Sequence, residues 1–206
     1  MTQAKLDVQA LFATPLARID LRDAITQAQV EYVQSLKMVQ NQQNLISEDL
    51  YIFNHPQLSG FSQAIAAALS QYASEVMGIN QDLVVTQSWS LTNPPGIGMH
   101  SHSHSNSLIS GSFYYAPLPE PPARVFFDRN IMYQRIELVP EQNRRNLYNT
   151  NLNAVTPKAG ELLLFPSEIN HMVEANSSPL PRHAIAFNSF VKGQIGDYRD
   201  VSQLRV

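Results

Sequence analysis

The pentapeptide His100-Ser101-His102-Ser103-His104 sets three of the chain's six histidines at every second position. That two-residue beat matches an extended strand, whose alternate side chains share a face. A helix would fan the same residues around its axis. On a strand, His102 and His104 stand about 7 Å apart at their Cα atoms, and their rings can converge on one ion at roughly 2.1 Å per nitrogen. One strand supplies only part of a coordination sphere. A chain that uses this run must therefore fold into a sheet that brings a second segment to it. The competing reading is a solvated Ser/His tract with adventitious metal affinity.

The rest of the sequence provides for such a sheet. Residues 84–91 are rich in β-formers and close on the turn Asn93-Pro94-Pro95-Gly96. Further strands are predicted over 108–115, 125–127, the buried apolar run 162–165, and the alternating stretch 184–191 between Pro181 and Gly193. Upstream, residues 21–38 and 58–77 carry apolar side chains at three- and four-residue steps, which predicts two helices, the second stopped by Gly78. Residues 11–16, with Pro15, predict a short edge strand or extended arm. Residues 130–156, rich in Asn, Gln and Arg and including Arg135, Arg144 and Arg145, predict a long loop or lid that sets substrate choice. Helices first and short strands after predict a mainly β chain, a sandwich or small barrel with N-terminal helices packed outside. One domain over 1–206 is expected, helical over 1–80 with a β core over 81–192.

The absence of cysteine excludes disulfides, thiolate metal sites and cysteine nucleophiles, so a metal must use imidazole, carboxylate or water. The candidate third ligand is His171, which follows the buried run 162–165 and Pro166. Imidazoles suit iron, zinc, copper and nickel alike. Arg182, eleven residues beyond His171, leads into the last predicted strand. Its planar fork suits a bidentate grip on a carboxylate. His55 reads as a turn residue, and His183 as facing away from the site. A net charge of −3 gives no reason to expect nucleic acid or an anionic membrane as partner. No signal-peptide pattern opens the chain and no apolar run reaches membrane-spanning length, so a soluble cytoplasmic protein is expected.

Several segments, in order, resemble a known family. They are Gln87-Ser88-Trp89, His102-Ser103-His104, Ser110-Gly111 with Tyr114-Tyr115, Pro157 to Ser167 leading to His171, and Arg182-His183-Ala184-Ile185-Ala186-Phe187-Asn188. The family is that of the 2-oxoglutarate/iron(II) oxygenases of prolyl-hydroxylase type, particularly a bacterial and phage group, and residues 11–16 resemble its opening strand. The resemblance implies a double-stranded β-helix (jelly roll), Fe(II) and 2-oxoglutarate as cofactors, and hydroxylation of a small-molecule or peptide substrate with release of succinate and CO2. In related oxygenases an acid follows two residues after the first ligand histidine, giving a 2-His-1-carboxylate face. His104 stands there in this chain. Either the site is a three-histidine face of His102, His104 and His171, which the strand geometry favours, or the iron relies on His102 and His171 with a looser third position; Asp128, followed directly by Arg129, is the reserve carboxylate. The resemblance further implies that Arg182 binds the distal carboxylate of 2-oxoglutarate and that the Tyr115 hydroxyl assists, while Trp89 reads as core. Two other readings remain. A cupin-type metal enzyme without keto acid normally has a glutamate where Asn106 and Ser107 stand, and its later histidine closer to the turn than His171 is to Gly160. The other is a non-enzymatic, metal-stabilised binding module.

Overall fold

Two faces of one sheet, each apolar for a different reason, organise the molecule; a computed structural model describes residues 6–129 and 139–206. In chain order the N-terminal part comprises β1 (Ala17–Asp20), α1 (Gln27–Gln34), β2 (Met38–Asn41), β3 (Asn44–Ser47) and α2 (Ser59–Tyr72). Then follow β4 (Asp82–Asn93), β5 (Met99–His102), β6 (Ile109–Phe113), β7 (Val125–Asp128) and β8 (Leu152–Val155). The chain ends with β9 (Glu161–Pro166), β10 (Asn170–Val173), β11 (Arg182–Lys192) and a small hairpin of β12 (Gln194–Ile195) and β13 (Leu204–Arg205). A seven-stranded sheet runs β1-β9-β6-β11-β4-β3-β2, and a four-stranded sheet runs β5-β10-β7-β8. The pairings within both are antiparallel, giving the expected jelly roll.

Strand alternation sorts the large sheet's side chains into two sets. Phe113, Leu162, Leu164, Ile185 and Phe187 pack with Phe61, Ile65 and Leu69, which recur along one face of α2. Gly111 is required here, because a Cβ would run into the Phe187 ring. The opposite set, with Leu91, Tyr114, Leu163, Ala184 and Ala186, packs with Val125, Phe127 and Val155 of the small sheet. The Phe127 and Phe165 rings meet across the two sheets at 5.1 Å. Each fully buried Leu, Ile or Phe is worth about 1.5–3 kcal/mol. A one-residue slip of β11 would exchange the two sets, so the register is strongly specified.

The expected second helix holds. Tyr72 leads into a π turn at Ala73–Met77, and Gly78 ends it at φ +66°. The first is shorter than residues 21–38 suggest. Thr26 and Gln29 form a reciprocal cap that starts α1, and Met38 already pairs with Ser47 in the β2–β3 hairpin. Residues 11–16 form no strand; pairing begins at Ala17, on the sheet's edge beside β9. Within the predicted loop 130–156, β8 pairs with β7, and residues 130–138 lie outside the described residues. Among the described residues no helix is long and apolar enough to cross a membrane.

Candidate metal centre

Antiparallel pairing of β5 with β10 sets His102 directly opposite His171, with ring centroids 4.4 Å apart. His104 lies beyond the end of β5, so the expectation of two histidines on one strand holds for His102 alone. The chain past the strand end still brings it to the same place, where its N–H donates to the Ser167 carbonyl at 2.9 Å. Its ring lies 5.1 Å from each of the other two. One nitrogen from each of His102, His104 and His171 lies within 4.8 Å of the others, a spacing that one ion can bridge. No carboxylate joins this cluster among the described residues. Asp128 pairs in register with Asn170, next to Phe127, whose ring lies 6.2 Å from His171. Alternation along β7 turns Asp128 to the other face of the sheet.

The protonation of the rings suits metal ligation. His102 Nδ1 donates to the His100 carbonyl at 2.9 Å, and His171 Nδ1 donates to the Ile169 carbonyl at 3.0 Å. A carbonyl can only accept, so each Nδ1 carries the proton and each Nε2 keeps its lone pair for a metal. Burial lowers the pKa of all three imidazoles and, with a smaller contribution from the neighbouring rings, brings His171 to about 3 and His104 to about 4. They are therefore neutral at pH 7, the form that ligates. Phe165, 4.7 Å from the His171 ring, and Trp89, 6.0 Å from that of His104, wall the cluster with aromatic surface.

Arg182 faces inward on the adjoining wall and is 2% exposed. Its Nη1 donates to Asn93 Oδ1 and its Nη2 to the Tyr114 hydroxyl, each at 3.1 Å. Asn93 is itself fixed, donating from Nδ2 to the Gly98 carbonyl while its own carbonyl accepts from Asn176. Arg182 Nε is buried without a partner, and no carboxylate pairs with the guanidinium among the described residues. A buried cation costs several kcal/mol unless an anion joins it, so the chemistry of this wall fits a carboxylate ligand. Ala184 and Ala186 are the next inward positions along β11, and both are small.

Tyr115, expected beside Arg182, lies elsewhere. It is buried on the helix-backed face, 6.3 Å from the Phe61 ring, with its hydroxyl bonded to Ser90 and its pKa pushed up to about 12 by burial. Tyr114, one residue earlier, is the tyrosine that meets Arg182, and its ring also lies under the guanidinium at 5.0 Å. The alternation of β6 would have pointed to it, had the strand's register been known. His183 is on the outer face, bonded to Thr92, and His55 bridges Asp49 and Tyr32 between two short 3-10 turns.

Residues 87–188 match the family model described as "Putative 2OG-Fe(II) oxygenase". This segment, which holds all three histidines and Arg182, belongs to the 2-oxoglutarate/iron(II) oxygenase family, a family of 2-oxoglutarate-dependent Fe(II) enzymes. Solved structures of similar fold include HygX from Streptomyces hygroscopicus with nickel, 2-oxoglutarate and hygromycin B bound. Its TM-score is 0.58 at 15% identity, covering 85% of this chain and 82% of that one. A Pseudomonas putida prolyl-4-hydroxylase aligns at TM-score 0.59 and 12% identity, over 87% of this chain and 94% of that one. The α-ketoglutarate-dependent carbocyclase SnoK from nogalamycin biosynthesis aligns at 0.60 and 14%, over 88% and 81%. At these identities the likeness establishes the fold. No curated protein sequence matches the chain.

Proposed function

We propose that the chain is an Fe(II)- and 2-oxoglutarate-dependent dioxygenase in which His102, His104 and His171 hold the metal. Arg182, oriented by Asn93 and Tyr114, holds the distal carboxylate of 2-oxoglutarate. The observation that carries this reading is a metal-sized gap among three neutral imidazoles at the small sheet together with, on the inward face of the large sheet, a buried guanidinium that has no counter-ion among the described residues. With dioxygen, such a centre supplies oxidative decarboxylation: one oxygen atom enters succinate, CO2 leaves, and the other oxygen ends as a hydroxyl on a substrate C–H carbon.

The chain's own residues do the rest. His102 and His171 present Nε2 in a fixed tautomer, so no proton has to be expelled when a metal arrives. The Arg182 fork and the Tyr114 hydroxyl orient a carboxylate by direction as well as charge. The aromatic wall of Phe165 and Trp89 keeps water from the reacting groups. The substrate taken is a small molecule or a peptide.

The test is succinate release from 2-oxoglutarate in the presence of Fe(II). The native protein should produce it above the enzyme-free blank, and His102→Ala and His171→Ala should not. Succinate formation at the native rate in either variant overturns the assignment.

A further inference from the structure

His104 is held in place differently from its two companions. His102 and His171 sit on paired strands, and each ring is tied by its Nδ1 to a carbonyl two residues back. His104 lies outside any strand, and no described residue hydrogen-bonds to its ring. The placement of that ring therefore follows from its backbone, which is anchored at the N–H by the Ser167 carbonyl.

Ser167 is fully buried just past Pro166, where β9 ends. Its hydroxyl donates to Ser107 Oγ at 2.7 Å and lies 2.8 Å from Ser110 Oγ. Ser110 in turn donates to Asn188 Oδ1 at 2.9 Å. The Ser167 backbone N–H donates to the Leu108 carbonyl at 3.0 Å, so the whole Ser167 unit is clamped. Four polar side chains are thus gathered in a sheet whose neighbouring positions are Phe165, Ile109 and Phe187. Apolar residues would fill that space at no hydrogen-bonding cost, so packing alone does not account for them.

We infer that Ser167, held by Ser107, Ser110 and Asn188, is a positioning residue that aims His104 at the metal. This rests on reading His104 as a ligand. Removing the Ser167 hydroxyl leaves its two serine partners to re-pair, lets the Ser167 peptide turn, and shifts the carbonyl on which His104 hangs. Loss of an outer-shell partner of this kind costs about 10–100-fold in metal affinity.

The experiment is a calorimetric Co(II) titration of four proteins: native, His104→Ala, Ser167→Ala and the double variant, with the apo melting temperature and the visible Co(II) spectrum recorded for each. Ser167→Ala should bind Co(II) about 10–100-fold more weakly, with a spectrum moved toward that of His104→Ala. The double variant should bind no more weakly than His104→Ala, because the network acts through that ring. Native affinity in Ser167→Ala overturns the inference. So does an equal additional loss in the His104→Ala background, which would mark a general effect on the fold. If Ser167→Ala does not fold, Ser110→Ala, which removes a hydroxyl contact to Ser167, takes its place in the same cycle with the same outcomes. Unchanged Co(II) affinity in His104→Ala removes the ligand assignment itself, and this inference with it, so the two failures are told apart.

Discussion

The histidine end of the site, at the small sheet, and its arginine end, on the large sheet, solve opposite problems. The histidines are uncharged at neutral pH, and the rings of His102 and His171 are oriented by carbonyls two residues away in sequence. Arg182 carries a charge that nothing local satisfies; its partners, Asn93 and Tyr114, lie 89 and 68 residues away. On the proposed reading the first end receives a cation and the second an anion. This division explains how a site can lack a protein carboxylate among its described groups: the acid would arrive with the co-substrate.

If the division is right, substitutions at the two ends should affect different ligands. The largest effect is expected at the metal end, where His171→Ala should lower divalent-metal affinity by more than about 100-fold, beyond what losing an outer-shell partner costs. Next comes Arg182→Met, which removes one partner of a buried charge pair, worth about 2–5 kcal/mol. That is roughly 30-fold to several thousand-fold in 2-oxoglutarate affinity, measured by calorimetry on Mn(II)-loaded protein, with Mn(II) affinity itself unchanged. Arg182→Lys should recover a part, since the charge stays and the fork is lost. A fall in Mn(II) affinity in Arg182→Met would erase the distinction between the ends.

A smaller contrast separates the two tyrosines. Tyr114→Phe should weaken 2-oxoglutarate binding by about 1 kcal/mol, close to fivefold. Tyr115→Phe should leave that binding alone and instead lower fold stability by about 1 kcal/mol, because its hydroxyl bonds Ser90 in the core. Equal effects of the two on ligand binding would contradict the assigned faces.

A further contrast lies in the pH dependence of the apo-protein. The imidazoles take protons below about 6.5 in the unfolded chain, whereas the folded site resists protonation until about 4 at His104 and about 3 at His171. Their folded pKa values are depressed, so their contribution is intact above 6.5 and is lost as the pH falls toward 4 and then 3. The melting temperature of apo-protein should decline over that window, and His171→Ala should flatten the decline. An identical slope in the variant would show that burial at His171 does not set it.

The sequence carried the local half of this picture. Apolar spacing announced α2, and the β-rich runs announced β4, β6, β9 and β11, because those elements bury continuous stripes or whole strands. The two-residue beat also singled out His102, and the break after the buried run led to His171. What escaped depends on register, which no local pattern states. Tyr114 and Tyr115 are chemically equal in sequence; the pairing of Phe113 with Ile185 and of Arg182 with Asn93 decides which one shares a face with Arg182. Asp128 stayed a candidate for the same reason, and its parity with the inward Phe127 turns it away. Asn93 read as part of a turn, although its side chain holds the guanidinium. The edge strands β2 and β8, and β3 beside β2, are short and half polar, so they read as loop.

The account stands most directly on whether one cavity binds the metal and the keto acid together. Anaerobic titration of the apo-protein with Fe(II) and 2-oxoglutarate, followed by visible absorption, measures this through the weak charge-transfer band of a keto acid chelated to iron. The band should appear only when both components are present, vanish in His171→Ala, and need far more 2-oxoglutarate in Arg182→Met. A band that persists unchanged in His171→Ala, or none in the native protein at saturating concentrations of both, would contradict it.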